Sequence, residues 1–193
     1  MCCQYYFDDS TMEDIRQIVN GIDKKLYDNK YGDVHPSDPA IIITGRNNVL
    51  SAEQMRWGFK SYWDNQLLIN ARSETALQKI SFSDSVSRRR CIIPAKHFYE
   101  WDAQKNKVTF SLDESPVLYM AGFYNQFEGE ERFIILTTEA NASMQRVHDR
   151  MPLILPKDQI EEWIYDDRQV DKYLKMQSPM LKSYQEYEQM SLF

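Results

Sequence analysis

The fold is indicated by residues 117–138, which read VLYMAGFYNQFEGEERFIILTT. Val117–Phe123 and Arg132–Thr138 are strand-like apolar runs on either side of a polar, glycine-containing segment. Similar runs precede them at Cys91–Ile93, His97–Trp101 and Val108–Leu112. Helical spacing is confined to short segments such as Asp158–Tyr165. We therefore predict an α+β fold, with a mainly antiparallel sheet curled toward a barrel and flanked by short helices.

Length and composition fit one folded domain. The chain has 193 residues, of which 42% are hydrophobic and 13% aromatic, and this aromatic share argues against disorder. No apolar run approaches the about 20 residues of a membrane helix, and residues 1–9 lack the regions of a signal peptide. The 3 cysteines are an odd number without metal-ligand spacing, which indicates a reducing, intracellular compartment. We predict a monomeric single domain over residues 1–193 that uses no metal and no cofactor.

Charge is unevenly distributed along the chain. The net charge of −6 argues against a protein that coats nucleic acid by charge alone. Residues 44–107 nevertheless carry 11 Lys and Arg against 6 Asp and Glu, whereas the rest of the chain carries 12 against 23. This basic middle segment is either one anion-binding face or a scatter of solvated surface charges.

Met1-Cys2 offers an unusual nucleophile. Removal of Met1 by an aminopeptidase would leave Cys2 with a free amine beside its thiol. Their reference pKa values, about 7.7–8.0 and about 8.5, make both groups partly nucleophilic near pH 7. Such an amine condenses with an aldehyde to an imine, and the thiol then closes a thiazolidine ring. The same group also suits attack on an acyl carbon, and the structural alternative is a small residue at a frayed end.

Several polar side chains suit acid–base chemistry or anion binding. Asn70 and Arg72 lie at a strand-to-helix junction and offer an amide and a bidentate phosphate ligand, although helix capping alone accounts for them. Glu100 lies in an aromatic, strand-like run, where it either points outward or is buried with a raised pKa. His148 can donate or accept a proton near pH 7, and Arg150 points to the same side if the segment is extended.

The remaining Trp, Cys and His residues have simpler interpretations. Trp57 beside Arg56 would stack on a base if it were exposed, but a tryptophan in a strand more often belongs to the core. Cys91 lies in an apolar strand and is interpreted as core. His35 and His97 are interpreted as structural, because the His and Cys residues show no metal-ligand spacing.

Taken in order, these segments resemble one family. The matching motifs are Met1-Cys2, Trp57-Gly58-Phe59, Asn70-Ala71-Arg72-Ser73-Glu74-Thr75, Arg90-Cys91-Ile92-Ile93-Pro94 with Tyr99-Glu100-Trp101, Thr137 to Asn141, and His148-Asp149-Arg150-Met151-Pro152. Together they resemble the SRAP domain, the SOS-response-associated peptidase family, over roughly residues 2–155. The ordered set is far more specific than any one of its members.

The resemblance implies a function and catalytic roles. The family shields abasic sites in single-stranded DNA through a thiazolidine cross-link between its N-terminal Cys and the ring-opened sugar, and it cleaves its own N-terminal Met or propeptide. By motif, Cys2 would be the nucleophile and Asn70 would orient it. Glu100 would act as acid and base near the amine. His148 would protonate the ring oxygen of the sugar or assist its opening.

The resemblance also implies a DNA interface. Arg72 and Arg150 would hold phosphates, Trp57 or Trp101 would line the DNA groove, and Thr138 would contact DNA. The implied partner is abasic single-stranded DNA, met in a bacterial cytoplasm near the nucleoid and away from any membrane.

The chain departs from the family near its start. Cys3 and Gln4 stand where the family usually has Gly and Arg, and His97 lies near a usual Gly. A second thiol is a competitor for the nucleophile, and the missing Arg removes one DNA contact. Two alternatives stay open: a non-covalent single-stranded DNA-binding module, which has no use for an N-terminal aminothiol, and a thiol protease acting on other proteins.

Residues 185–193 form a candidate partner-binding tail. Gln189-Met190-Ser191-Leu192-Phe193 resembles the short peptide by which bacterial proteins dock on the replication sliding clamp. Gln189 would anchor the peptide by hydrogen bonds, while Leu192 and Phe193 would fill an apolar groove. The alternative is a C-terminal segment folded against the core.

Overall fold

The computed structural model describes residues 2–22, 26, 31–61, 66–113 and 115–185. The predicted clamp-binding peptide, 189–193, lies outside these residues. Helices α1 to α4 span Asp9–Arg16, Ile80–Arg88, Ile160–Tyr165 and Val170–Leu174. Strands β1 to β16 span Tyr5–Phe7, Gly21–Ile22, Gly32–Val34, Pro39–Arg46, Val49–Trp57, Phe59–Lys60, Leu67–Leu68, Asn70–Arg72, Arg90–Ala95, His97–Trp101, Lys107–Ser111, Leu118–Phe127, Glu130–Glu139, Arg150–Pro152, Ile154–Leu155 and Lys182–Gln185. In the described ranges, every helix is too short or too polar to cross a membrane.

Five of the longer strands close into a barrel. β13 pairs with β12, β12 with β9, β9 with β4 and β4 with β5, all antiparallel. β5 then returns to β13 in a parallel pairing that sets Arg56 opposite Arg132 and Trp57 opposite Phe133. The predicted α+β fold with a mainly antiparallel, barrel-like sheet is therefore confirmed.

A second, open sheet carries the beginning of the described chain. Its strand order is β16-β11-β10-β1-β3, and every pairing is antiparallel. β1 sets Tyr5 opposite Phe98, and the amide of Tyr99 donates to the carbonyl of Gln4 at 3.0 Å. The chain preceding β1 therefore runs alongside the end of β10 that carries Glu100.

Two hydrophobic clusters lie on opposite faces of the barrel strands. Alternation along β13 sends Ile134 and Leu136 to one cluster and Phe133 and Ile135 to the other. The first cluster takes in side chains from all four helices, among them Met12, Val86, Trp163 and Val170. The second joins the barrel to the open sheet and contains Cys2 and Cys91, so the interpretation of Cys91 as a core residue is confirmed.

The basic middle segment is largely neutralised by carboxylates rather than gathered into one anion-binding face. The pairs are Arg46 with Glu53 and Glu131, Arg56 with Glu130, Lys60 with Glu128, Arg88 and Arg89 with Asp84, Arg90 with Asp167 and Lys96 with Asp8. In the described part of this segment, the cations that have no carboxylate at ion-pair distance are Arg72, Lys79, Lys105 and Lys107.

Candidate active site around Cys2

Cys2 is held in the protein rather than at a frayed end. Its side chain is 1% exposed and belongs to the second hydrophobic cluster. The carbonyl of Cys2 accepts a hydrogen bond from Nδ2 of Asn70 at 2.9 Å, and its Sγ lies 3.8 Å from the carbonyl oxygen of Gln4. Asn70 thus contacts the residue that the sequence predicts it to orient.

The position of Asn70 depends on the barrel. β8 runs parallel to β13 with Asn70 opposite Ile135, and the preceding carbonyl of Ile69 accepts from the amide of Ile135 at 3.2 Å. The same carbonyl accepts from the indole Nε1 of Trp57 at 3.0 Å. These bonds fix the backbone that presents the Asn70 amide to Cys2.

Trp57 does not line a DNA groove in this structure. Its side chain is fully buried, with its ring 5.3 Å from that of Tyr5 and 6.2 Å from that of Phe133. The prediction that a base could stack on Trp57 is therefore wrong, since neither face of the indole is open. Its contribution to the site is the hydrogen bond to Ile69.

Glu100 is buried beside the two N-terminal thiols. Only 3% of the residue is exposed, and alternation along β10 places its side chain on the inner face with Phe98. Of the two orientations that the sequence left open, the buried one is found. Burial foremost, and then the nearby Glu100 charge, raise the pKa of both the Cys2 and the Cys3 thiol. Both thiols therefore stay protonated near neutral pH.

His148 lies in the turn that leads into β14. Its Nδ1 accepts from the backbone amide of Arg150 at 2.9 Å and lies 2.9 Å from an oxygen of Asp149. The first contact requires an unprotonated Nδ1 and the second favours a protonated one, so these contacts leave either tautomer possible. β14 pairs with one edge of β13, and β8 pairs with the other edge. The turn that carries His148 therefore lies next to β13, the strand that positions Asn70.

Arg150 is engaged within the protein. The residue is 8% exposed, and its guanidinium binds both carboxylate oxygens of Glu74 at 2.6 and 2.9 Å and the carbonyl of Thr137 at 2.6 Å. A guanidinium committed to these acceptors is not available to a phosphate, so the predicted phosphate contact of Arg150 is not supported by this geometry. The hydrogen bond from Arg150 is the foremost cause of a lowered pKa of Glu74.

The predicted phosphate contact of Arg72, in contrast, stays a prediction that its exposure permits. Its side chain is exposed, and alternation along β8 places it on the same face as Asn70. The structure therefore leaves one of the two predicted phosphate-binding arginines open to solvent beside Cys2.

Thr137, rather than Thr138, lies on the face of the sheet that carries Asn70 and Arg72. Thr137 lies opposite Arg72 across the β8–β13 pairing, and its hydroxyl lies 3.5 Å from a guanidinium nitrogen of Arg150. Thr138 points the other way and lines a cavity of about 460 Å³ with Leu174 and Met176. The predicted DNA contact of Thr138 is thus on the wrong face of β13.

Trp101 lies at the same strand end as Glu100 but on the opposite face of the open sheet. Its ring is half-buried, and the Nζ of Lys107 lies 5.9 Å from its centroid. Trp101 thus remains an aromatic side chain that a nucleotide can reach.

Two residues of the site were not singled out from the sequence. Glu74 stands in a quoted motif, and only its ion pair with Arg150 shows what it does. Thr137 could have been distinguished from Thr138 by counting alternate residues from the apolar pattern of β13. Across the described ranges, no group of three or more His, Cys, Asp or Glu side chains is arranged to hold a metal ion.

Known proteins are similar to this chain in sequence. The family model described as SOS response associated peptidase (SRAP) matches residues 1–192. The abasic site processing protein YoqW of Bacillus subtilis is 35% identical over 185 residues, which cover 86% of this chain and 81% of YoqW. The abasic site processing protein YoaM of the same organism is 36% identical over 150 residues, which cover 70% of this chain and 65% of YoaM.

More distant proteins resemble it as well. The abasic site processing protein YedK of Escherichia coli is 30% identical over 139 residues, which cover 68% of this chain and 63% of YedK. The chain thus spans less than two thirds of YoaM and of YedK. A crystal structure of a Bacteroides thetaiotaomicron protein has a TM-score of 0.78 and 23% identity, covering 95% of this chain and 91% of that one. This last similarity concerns the fold alone.

Proposed function

The chain belongs to the SOS response associated peptidase family, and we propose that it processes abasic sites in single-stranded DNA through a covalent cross-link to Cys2. Relatives named abasic site processing proteins support the substrate. The observation that carries the proposal is the 2.9 Å hydrogen bond from Asn70 to the Cys2 carbonyl. This bond holds an N-terminal aminothiol residue in a buried site that also contains Glu100.

The cross-link requires that the peptide bond between Met1 and Cys2 has been cleaved. The freed amine then adds to the C1′ aldehyde of the ring-opened sugar, and loss of one water gives an imine. The Cys2 sulfur adds to the imine carbon while its proton passes to the imine nitrogen. A thiazolidine ring results, and no oxidant or reductant is consumed.

The site supplies the proton transfers of these steps. The attacking amine must be neutral, and Glu100 is the buried carboxylate in position to accept and return its proton. The Cys2 thiol keeps its proton because of burial and the Glu100 charge, so a proton is at hand when the sulfur adds. His148 would donate a proton to the ring oxygen as the sugar opens.

Cleavage of the Met1–Cys2 bond is proposed to occur either by an aminopeptidase or by the protein itself. In the second route the Cys2 thiol attacks the Met1 carbonyl, and hydrolysis of the resulting thioester releases Met1. The description of the family as a peptidase supports this second route.

The cross-link is tested by denaturing gel electrophoresis after incubation with an abasic single-stranded oligonucleotide. We expect a band that survives denaturation with the wild type and with Cys3→Ala, and none with Cys2→Ala. Cys3 is the matched control because it is the neighbouring thiol, and burial and the Glu100 charge raise its pKa as they raise the pKa of Cys2. Equal loss with either substitution would contradict Cys2 as the nucleophile.

The same gel separates the alternatives. A non-covalent DNA-binding module would retard the oligonucleotide under native conditions but leave no denaturation-resistant band. A protease acting on other proteins would do neither. A version of the chain that keeps residue 1 behind an uncleavable tag should also give no band, because its Cys2 nitrogen is an amide.

We also propose that residues 189–193 dock on a bacterial sliding clamp, on the strength of their sequence alone. Replacing Leu192 and Phe193 with Ala should abolish retention on immobilised clamp and leave cross-linking and the melting temperature unchanged. A melting temperature lowered by several degrees would instead indicate a tail packed on the domain.

A further inference from the structure

The outer face of the open sheet is aromatic where a solvent-facing strand side is normally polar. Half-buried antiparallel strands alternate apolar residues inward with polar residues outward. Apart from Glu100, the inward residues here follow that pattern, because Phe98, Val108 and Phe110 all join the second hydrophobic cluster. The outward side is polar at Asp33, Ser111 and Lys182 but also carries five rings. We call the remaining outward residues the aromatic face: Tyr6, His97, Tyr99, Trp101, Lys107, Thr109 and Tyr184.

Contacts within the aromatic face hold its rings in place. Tyr6 stacks on His97 with a centroid separation of 4.9 Å, and Nε2 of His97 lies 2.8 Å from the hydroxyl of Tyr99. The Nζ of Lys107 lies 3.5 Å from the centre of the Tyr99 ring. Tyr184 lies across Thr109 from Tyr99 and is 65% exposed. These rings form an ordered surface rather than a set of scattered side chains.

Positive charge lies at one end of the aromatic face. Lys105 and Lys107 stand on the β10–β11 hairpin beside Trp101, and both belong to the cations left without a carboxylate in the described part of the basic segment. The carboxylate of Asp102 in this hairpin is occupied by the amides of Gln104 and Asn106, each at 2.9 Å. Asp33 lies at the far end, beside Tyr6. Phosphates are therefore favoured at the Trp101 end.

That same end adjoins the Cys2 site. Glu100 and Trp101 are consecutive residues of β10 whose side chains point to opposite faces, so a single strand end carries the buried carboxylate and the edge of the aromatic face. A DNA strand with its abasic sugar at Cys2 needs only to pass over this edge to reach Trp101 and Lys107. Of the rings on this face, Tyr184 is exposed and Trp101 is half-buried, whereas Tyr99 is only 8% exposed with Lys107 over its ring. An accessible aromatic ring beside unpaired lysines is the combination that binds single-stranded nucleic acid through bases and phosphates.

The family resemblance already implies that Trp101 lines the DNA groove. We propose that the aromatic face continues this contact along the nucleotides flanking the abasic site, with Tyr184 stacking on a base and Lys105 and Lys107 contacting phosphates. This proposal rests on the proposed function, because that function brings single-stranded DNA to Cys2. It adds a second, non-covalent contact area on the other side of the sheet from the chemistry.

Oligonucleotide length provides the test. Binding to undamaged single-stranded DNA is compared between a short oligonucleotide and two longer ones, extended on the 5′ or the 3′ side. We expect one extension to strengthen wild-type binding by about fivefold or more, since one stacked base contributes at least that factor. A fluorescent 2-aminopurine placed in that extension should be quenched on binding, which reports stacking directly.

The variant Lys107→Ala/Tyr184→Ala should lose most of the length-dependent gain and the quenching. The matched control is Lys79→Ala/Tyr165→Ala, because Lys79 is also an unpaired cation over an aromatic ring and Tyr165 is also exposed. The control should keep the gain. No gain for the wild type, or a full gain for Lys107→Ala/Tyr184→Ala, overturns the proposal. Cross-linking of a short abasic oligonucleotide is measured in parallel, so that a failure of the proposed function is seen separately.

Discussion

The segments around Arg72 and Arg150 present arginines on either side of Thr137, and the two guanidinium groups have different surroundings. Arg72 is exposed, with no carboxylate at ion-pair distance in the part of the chain that the structure describes. Arg150 is 8% exposed and bound to Glu74 and Thr137. A cation that is desolvated and paired costs much more to redirect than one in water. The comparison therefore leaves Arg72 as the arginine that we propose contacts DNA, while Arg150 holds neighbouring strands together.

The largest expected difference between the two segments is in stability. Arg150→Ala removes hydrogen bonds to Glu74 and to the Thr137 carbonyl, so we expect the free energy of unfolding to fall by about 1–3 kcal/mol. Arg72→Ala removes an exposed side chain and should change the free energy of unfolding by less than about 0.5 kcal/mol. Urea denaturation of both variants measures this. Equal losses would show that burial does not distinguish the two arginines.

The next test concerns the pair itself. Glu74→Gln, Arg150→Gln and the double variant form a cycle, in which we expect a coupling free energy of about 0.5–1 kcal/mol, reduced by the 42% exposure of the Glu74 side chain. The cross-linking rate should fall with this loss of stability, because the Arg150 side chain holds the segment whose backbone amide donates to His148. Additive effects would mean that Glu74 and Arg150 act separately.

The same pair gives a pH dependence of known sign. Arg150 lowers the pKa of Glu74 below its usual 4.5 in the folded protein, so the pair stabilises the fold above that value. The contribution is lost as the pH falls through the lowered folded-state pKa. The stability difference between the wild type and Glu74→Gln should therefore be greatest near neutral pH and vanish in strong acid. A constant difference across this range would argue against the ion pair.

The smallest effect is expected in the salt dependence of DNA binding. Arg72→Ala should lower the slope of log K against log salt by about 0.7, the value for one phosphate contact on a single strand. Arg150→Gln, which removes the charge, should leave the slope unchanged. A matching decrease for Arg150→Gln would restore the phosphate role that the sequence predicted.

The sequence predicted which residues lie around Cys2 better than it predicted which side chains face solvent for DNA contact. That Cys2, Asn70 and Glu100 lie together could be predicted, because the resemblance places all three in fixed motifs. Trp57 and Arg150 could not be assigned from identity, since the same indole or guanidinium serves DNA or the protein according to what packs around it. For Trp57 the deciding contacts are the Tyr5 and Phe133 rings, and for Arg150 the deciding contact is Glu74.

The barrel and the aromatic face also combine features that the sequence predicts with features that only the structure shows. Apolar runs predicted strands and their curl, but the closing of β5 on β13 joins segments whose pairing no local pattern specifies. The aromatic face required strand register, because only register shows that Tyr184 and Tyr99 lie on one side of the sheet.

The hydrogen bond between Asn70 and Cys2 spans 68 positions, and this separation sets an order of events during synthesis. At about 5–20 residues per second, Cys2 is made about 3–14 s before Asn70 exists. An aminopeptidase working on the nascent chain meets Met1 in that interval, before any of the site has assembled. Self-cleavage has to wait for Asn70, Glu100 and a closed barrel. The two routes to a free amine therefore differ in timing, and pulse-labelled nascent chains would show which one a cell uses.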